Sequence, residues 1–446
     1  MKYLALVTML IMAWAIQSYA VAPKGIFPYP YQVHMLDNGL KVVLIPMDNP
    51  GLVAYYTVVR TGSRDEYEPG HSGFAHFFEH MMFRGTKNYP GDVYDRLITE
   101  MGASANAYTS FDQTVFHLNI TTDDLEEVMK LESDRFQNLD YSEQGFKTEA
   151  GAVHGEYLKG LTSPFFAIYE KLMNTAFDQH TYRHTVIGFK EDIEAMPTMY
   201  EYSKSFYHRY YRPDNVVLLI TGDFDPTSAM ELVKQYYGAW EKGYVPPKIT
   251  PEPEQNRERG ATVNFSGQTL PILCVAYKGL AFDPSSKDMA ACDLLAELAF
   301  GETSDLYKKL VINEQRVQFI EADFSANRDP GLMSIYTMIK DENDITNIQD
   351  EIYSTIEQFQ DQEVDAAKLD ALKSHLKYKF LMDMDTAENT ASELAGYIAL
   401  SGGIDAVDVL YRTYDAVTPT DVIEAANRYF TKQKRTVVVL KGGKSS

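Results

Sequence analysis

The stretch Tyr244-Val245-Pro246-Pro247-Lys248-Ile249-Thr250-Pro251-Glu252-Pro253 carries four prolines and few apolar residues. Each proline fixes φ and removes a backbone donor, so this stretch is excluded from helix interiors and central strands. It cuts the 446-residue chain near its middle, and the pattern on one side returns on the other. Tyr210-Tyr211 followed by Val216 to Ile220 is echoed by Tyr429-Phe430 followed by Thr436 to Leu440. A helix, a glycine and two strands over Arg96 to Ile120 are echoed by Leu306 to Phe324 followed by Leu332 to Ile339. Each half has roughly 200 residues, enough to close one core. The expectation is an α+β chain of two duplicated domains, 21–242 and 259–446, joined by an extended linker over 243–258.

Within the first half, Val33 to Leu36 and Leu40 to Ile45 flank Asp37-Asn38-Gly39, a strong hairpin-turn signal. Val53 to Arg60 is a further strand. Phe74 to Phe83 and Val93 to Met101 read as helices, the second stopped by Gly102. Ser104 to Thr109 and Thr114 to Ile120 read as strands, and Asp123 to Asn138 and Glu143 to Lys159 as amphipathic helices.

The N-terminus has the form of a secretory leader over 1–20. Lys2 supplies the positive start, Tyr3 to Ile16 the apolar run, and Ser18-Tyr19-Ala20 the small residues before a cleavage point after Ala20. An uncleaved anchor is the alternative; the run is short for a membrane span. No later stretch is apolar enough to insert into a membrane. A net charge of −22 excludes a basic nucleic-acid-binding face, and is read as a solubility feature. The two cysteines, Cys274 in a strand and Cys292 in a helix, lack metal-site spacing, and whether they pair is left open.

The chemistry is concentrated in Gly73-Phe74-Ala75-His76-Phe77-Phe78-Glu79-His80-Met81. His76 and His80 lie one helical turn apart on one face, where two imidazoles can grip one zinc ion. Glu79 shares that face without being needed as a ligand, the position of a general base. The order His-x-x-Glu-His is the inverted zincin signature. A catalytic zinc needs a third protein ligand. The run Thr148 to Tyr157 offers Glu149 and Glu156, seven residues apart and therefore on one helix face. His71, His117, His154, His180, His184, His208 and His375 lack partners at ligand spacing.

These motifs, together with Gly102-Ala103-Ser104-Ala105-Asn106-Ala107-Tyr108-Thr109, make the chain resemble the pitrilysin/insulysin family over nearly all of residues 31–440. The resemblance is greatest to the two-domain branch near the mitochondrial processing peptidase. It implies one zinc per chain, with Glu156 as third ligand beside His76 and His80, and Glu149 as the carboxylate that orients the site. It also implies an antiparallel sheet packed with helices in each half, two halves forming half of a clam-shell chamber, and peptide substrates that add as a strand along Ala103 to Thr109 with Asn106 and Ala107 as contacts. Export to the bacterial periplasm follows from the leader. The family places an Arg and, seven residues on, a Tyr opposite the zinc; Val311 and Gln318 stand at those positions here. An intact zinc half with a missing clamp implies a second, homologous chain, in a heterodimer or a homodimer. The leading expectation is a zinc-dependent endopeptidase with Glu79 as base. The alternative is a non-catalytic structural or binding subunit of a heteromeric processing complex, which would be expected to have lost at least one of His76, Glu79, His80 and Glu156. A metal-sequestering protein would not need Glu79.

Overall fold

The computed structural model describes residues 25–443 and, as backbone, 18–21; of the expected leader, residues 1–17 lie outside the described residues. Two sheets organise the chain. The first holds β1 (Ser18–Val21), β2 (Tyr31–Met35), β3 (Lys41–Pro46), β4 (Leu52–Val59), β5 (Ser104–Thr109), β6 (Thr114–Thr121) and β7 (Val216–Gly222), in the order β1-β2-β3-β7-β4-β6-β5. The second holds β8 (Arg259–Asn264), β9 (Ile272–Lys278), β10 (Val317–Asp323), β11 (Leu332–Ile339) and β12 (Arg435–Lys441), in the order β10-β11-β9-β12-β8.

The duplication is visible in the topology. In the first sheet β3 runs parallel to β7, and β7, β4, β6 and β5 follow in antiparallel pairs. In the second, β8 runs parallel to β12, and β12, β9, β11 and β10 follow in antiparallel pairs. The two five-stranded sets match strand for strand. β5 and β10 occupy equivalent edges, which leaves one side of each backbone open for pairing.

Side chains alternate across the strands, and both faces of each sheet are covered. Val42, Leu44, Val53 and Tyr55 face a core shared with the helices Phe74–Met81, Leu125–Asn138 and Glu143–Gly160. Val43, Ile45, Ala54 and Tyr56 face the opposite way, onto Ala391, Leu394, Ala395 and Ile398 of the helix Ala387–Ser401. That helix belongs to the second half of the sequence. The exchange is mutual: Ile168 and Leu172 of the helix Pro164–Ala176 pack on Ile272, Cys274, Ala276, Val438 and Leu440 of the second sheet. These two helices were not read from the sequence, and an apolar helix face by itself does not say which sheet it covers.

Residues 240–258 carry neither helix nor strand. The segment is nonetheless fastened, because the Glu252 carboxylate accepts the backbone N–H groups of Asp178, Gln179 and His180. The cysteines are free and buried. Cys274 packs on the face covered by Pro164–Ala176 and Cys292 in the core of the other face, so the sheet separates them. Among the described residues no single helix is long and apolar enough to cross a membrane.

Candidate metal centre

The helix Phe74–Met81 starts where the chain can make a close turn. Gly73 sits at φ 93°, and a Cβ there would come within 2.5 Å of the Ile187 carbonyl oxygen, so glycine is required. The buried Glu66 carboxylate accepts the Gly73 and Ala75 amides at 2.7 and 2.6 Å. It thereby satisfies donors that the helix itself leaves open. Burial still pushes the Glu66 carboxyl well above its usual range. Phe74, Phe77, Phe78 and Met81 anchor the helix in the first core, with Phe78 stacked on Phe206 at 5.5 Å.

His76, Glu79 and His80 carry the polar chemistry. The second contributor is the long helix Glu143–Gly160, whose start is capped by Ser142 Oγ accepting the Gly145 amide. It lies against the motif helix through Phe146, which meets Phe77 at 5.0 Å between ring centroids. This packing brings Glu156 Oε2 to 3.3 Å from His80 Nε2 and 3.6 Å from His76 Nε2. Both separations exceed an ordinary N–H···O hydrogen bond of about 2.7–3.2 Å. They match the spacing of neighbouring ligand atoms around a tetrahedral zinc, which is about 3.3–3.4 Å for bonds near 2.0–2.1 Å. The three ligand atoms all lie within 4.8 Å of one another, and this is the one group of its kind among the described residues. Two imidazole nitrogens and one carboxylate oxygen are a donor set that fits zinc and leaves a fourth position open.

Glu149, seven residues before Glu156, is buried and does something different. Its carboxylate accepts from His80 Nδ1 at 3.0 Å and from Arg84 Nε at 2.5 Å. Fixing His80 through Nδ1 turns Nε2 toward Glu156, the usual way a carboxylate sets the tautomer of a ligand histidine. Burial pushes the Glu149 carboxyl up, but the His80 and Arg84 bonds outweigh it and hold it below its usual range. The Glu149 hydrogen bond in turn raises His80. His76, almost wholly buried and beside His80, is pushed down to about 4 and is therefore neutral at neutral pH, the form that binds metal.

Glu79 touches neither Glu156 nor Glu149 by hydrogen bond; its Oε2 accepts the Thr109 hydroxyl at 2.6 Å. Burial raises the Glu79 carboxyl and the Thr109 bond opposes the rise, which moves a carboxylate toward the range useful to a general base. Thr109 ends β5, so the sheet edge and the metal site meet at this residue. Asn106 and Ala107 lie on the same edge strand, where the Asn106 side-chain oxygen accepts the Ala107 amide at 2.9 Å. Val311 is packed on the second core, and Gln318 is exposed on β10. Thr109, Arg84 and Glu66 were not anticipated from sequence. Arg84 alone had a local signal, being one helical turn beyond His80.

Comparison with known proteins bears on the whole chain. A family model described as Insulinase (Peptidase family M16) matches residues 42–189, and one described as Peptidase M16 inactive domain matches residues 199–376. The zinc protease PqqE of Helicobacter pylori is 30% identical over 415 residues, covering 91% of each chain. The mitochondrial-processing peptidase subunit beta of Lentinula edodes is 22% identical over 413 residues, covering 89% of this chain and 87% of that one. Among solved structures, a protease from Helicobacter pylori superposes with a TM-score of 0.87 at 27% identity, over 93% of this chain and 99% of that one. Pitrilysin superposes with a TM-score of 0.78 at 19% identity, over 96% of this chain but 47% of its own.

Proposed function

The chain belongs to the insulinase family of peptidases, family M16, and on that premise we propose that it is a zinc-dependent endopeptidase acting on extended peptide segments. The observation that carries this reading is the convergence of His76 Nε2, His80 Nε2 and Glu156 Oε2 beside a Glu79 carboxylate that is free of the ligand set. A zinc ion bound by those three atoms supplies Lewis acidity toward a peptide carbonyl and a water. The chain's own groups do the rest. Glu79 takes the proton from the attacking water and returns it to the leaving amide nitrogen. Thr109 holds Glu79 in place. Glu149, through His80, keeps an imidazole nitrogen aimed at the metal position.

The open edge of β5 is the proposed substrate track, with Asn106 and Ala107 as contacts. Backbone pairing there tolerates many sequences. A docking strand that uses the Ala107 amide must first displace the Asn106 side chain from it. The match of residues 199–376 to a domain described as inactive concerns a stretch without the zinc motif, and the proposed division of labour is between a zinc-binding domain, 21–242, and a second domain, 259–446, joined by the linker 243–258. Residues 1–20 and the kinship with the periplasmic protease PqqL from Escherichia coli support export to the periplasm.

The chain spans about half the length of pitrilysin, and it has no Arg–Tyr pair at 311 and 318. Both observations support a second homologous chain that completes a chamber. The test uses an unstructured peptide incubated with the purified chain, with fragments read by mass spectrometry. Internal cuts that vanish on chelation are expected, with a gain in rate on adding the related chain. Absence of cuts in either mixture, or cuts that persist with chelator, contradicts the proposal.

A further inference from the structure

Besides the helix that covers the first sheet, the second half of the chain reaches into the first through a buried cluster of charged side chains. Between β10 and β11, Arg328 and Asp329 insert against two segments of the first half. Arg328 Nη2 donates to Asp65 Oδ2 at 2.8 Å, and its Nε donates to Asp112 Oδ1 at 3.0 Å. The Arg328 amide donates to Asp112 Oδ2 at 3.1 Å, and Nη2 also reaches the Asp112 carbonyl at 3.2 Å. Asp329 pairs with Arg64 at 2.6 Å and with His180 at 2.9 Å. Asp65 and Asp112 are 1% and 3% exposed, so each needs a cation or donors to be tolerated there.

The two aspartates sit on the two segments that hold the metal centre together. Asp112 lies in the turn between β5 and β6, three residues after Thr109, whose hydroxyl holds Glu79. Asp65 directly precedes Glu66, whose carboxylate holds the start of the motif helix. The segments are laced together by backbone bonds, from Ser63 to the Ser110 carbonyl and from Arg64 to the Phe111 carbonyl. Gly62 permits the approach, since a Cβ there would come within 2.3 Å of the Ser110 oxygen. One guanidinium thus bridges the support of the base and the support of the ligand helix.

We infer that Arg328 is a positioning residue of the active site: the half of the chain that lacks the zinc motif completes the site by locking the Thr109 turn and the Glu66 segment in register. The inference rests on the peptidase reading above. Arg328 acts through Thr109 and Glu79, not on substrate, so its loss changes turnover and leaves KM alone.

The experiment is a double-mutant cycle on kcat per bound zinc, with Arg328→Lys and Thr109→Val. Lysine keeps the charge but cannot bridge both aspartates in the planar fork of arginine. Arg328→Lys is expected to lower kcat roughly tenfold, because small misplacements of a catalytic group carry losses of that order or larger. In the Thr109→Val background the same change is expected to cost less than about twofold, since coupled residues are non-additive. Equal losses in both backgrounds, the mark of a merely structural role, or no loss in wild type, overturn the inference. Hydrogen exchange at residues 109–113 gives a second reading that does not depend on cleavage. It is expected to quicken in Arg328→Lys, and unchanged exchange there overturns the inference. Wild type that cleaves nothing defeats the peptidase reading, and the exchange result still decides the role of Arg328.

Discussion

Glu79→Gln is expected to bind zinc as wild type does and to cleave peptide about 10²–10⁴-fold more slowly. The side chain keeps its shape and its contact with Thr109, but an amide cannot take up a proton, and loss of a general base typically costs that factor. Zinc content by elemental analysis, measured with the cleavage rate on the same preparation, checks it. A variant of full activity removes Glu79 from the base role, and a zinc-free variant makes it a ligand.

The second large effect separates two carboxylates seven residues apart on one helix. Glu156→Gln replaces the carboxylate that faces both His76 Nε2 and His80 Nε2 by a neutral amide, a poor zinc ligand, so zinc and activity are expected to fall together. Glu149→Gln removes the charge and one of the two oxygens that accept from His80 Nδ1 and Arg84 Nε. Outer-shell losses of that kind weaken metal affinity by about 10–100-fold, so this variant is expected to fill its site at higher zinc concentration and to turn over with the metal restored. Competition against a chelator of known affinity ranks the three proteins. If Glu149→Gln strips the metal and Glu156→Gln does not, the two roles are reversed.

The contrast between these two glutamates shows what sequence carries. Helical spacing places His76 beside His80 and Glu149 in line with Glu156, because a helix fixes relations between residues within a few turns. Spacing cannot say how two helices separated by some seventy residues meet. The assignment of Glu156 as ligand and Glu149 as its support came from family resemblance, and the packing of Phe146 on Phe77 supplies the geometry. Asp37-Asn38-Gly39 announced its hairpin for the same local reason, and the β3–β7 and β8–β12 parallel pairs, which bring the ends of each half together, had no local signal. Thr109 was read only as the end of the substrate strand, and Glu66 and Arg328 were invisible as functional residues. Each acts through tertiary contact, and Thr, Glu and Arg in loops or at strand ends are ordinary surface residues until the fold shows them buried and bonded. The helices Pro164–Ala176 and Ala387–Ser401 and their exchange between halves were not read from the sequence, since an apolar face fits either sheet.

The most direct measurement is a titration of zinc into metal-stripped protein, with peptide cleavage read at each addition. Activity is expected to vanish on stripping, to rise in proportion to added zinc, and to level off at one equivalent per chain, with Glu79→Gln binding the same equivalent without gaining activity. Cleavage that survives complete removal of the metal, or a protein that takes up no zinc, contradicts the account.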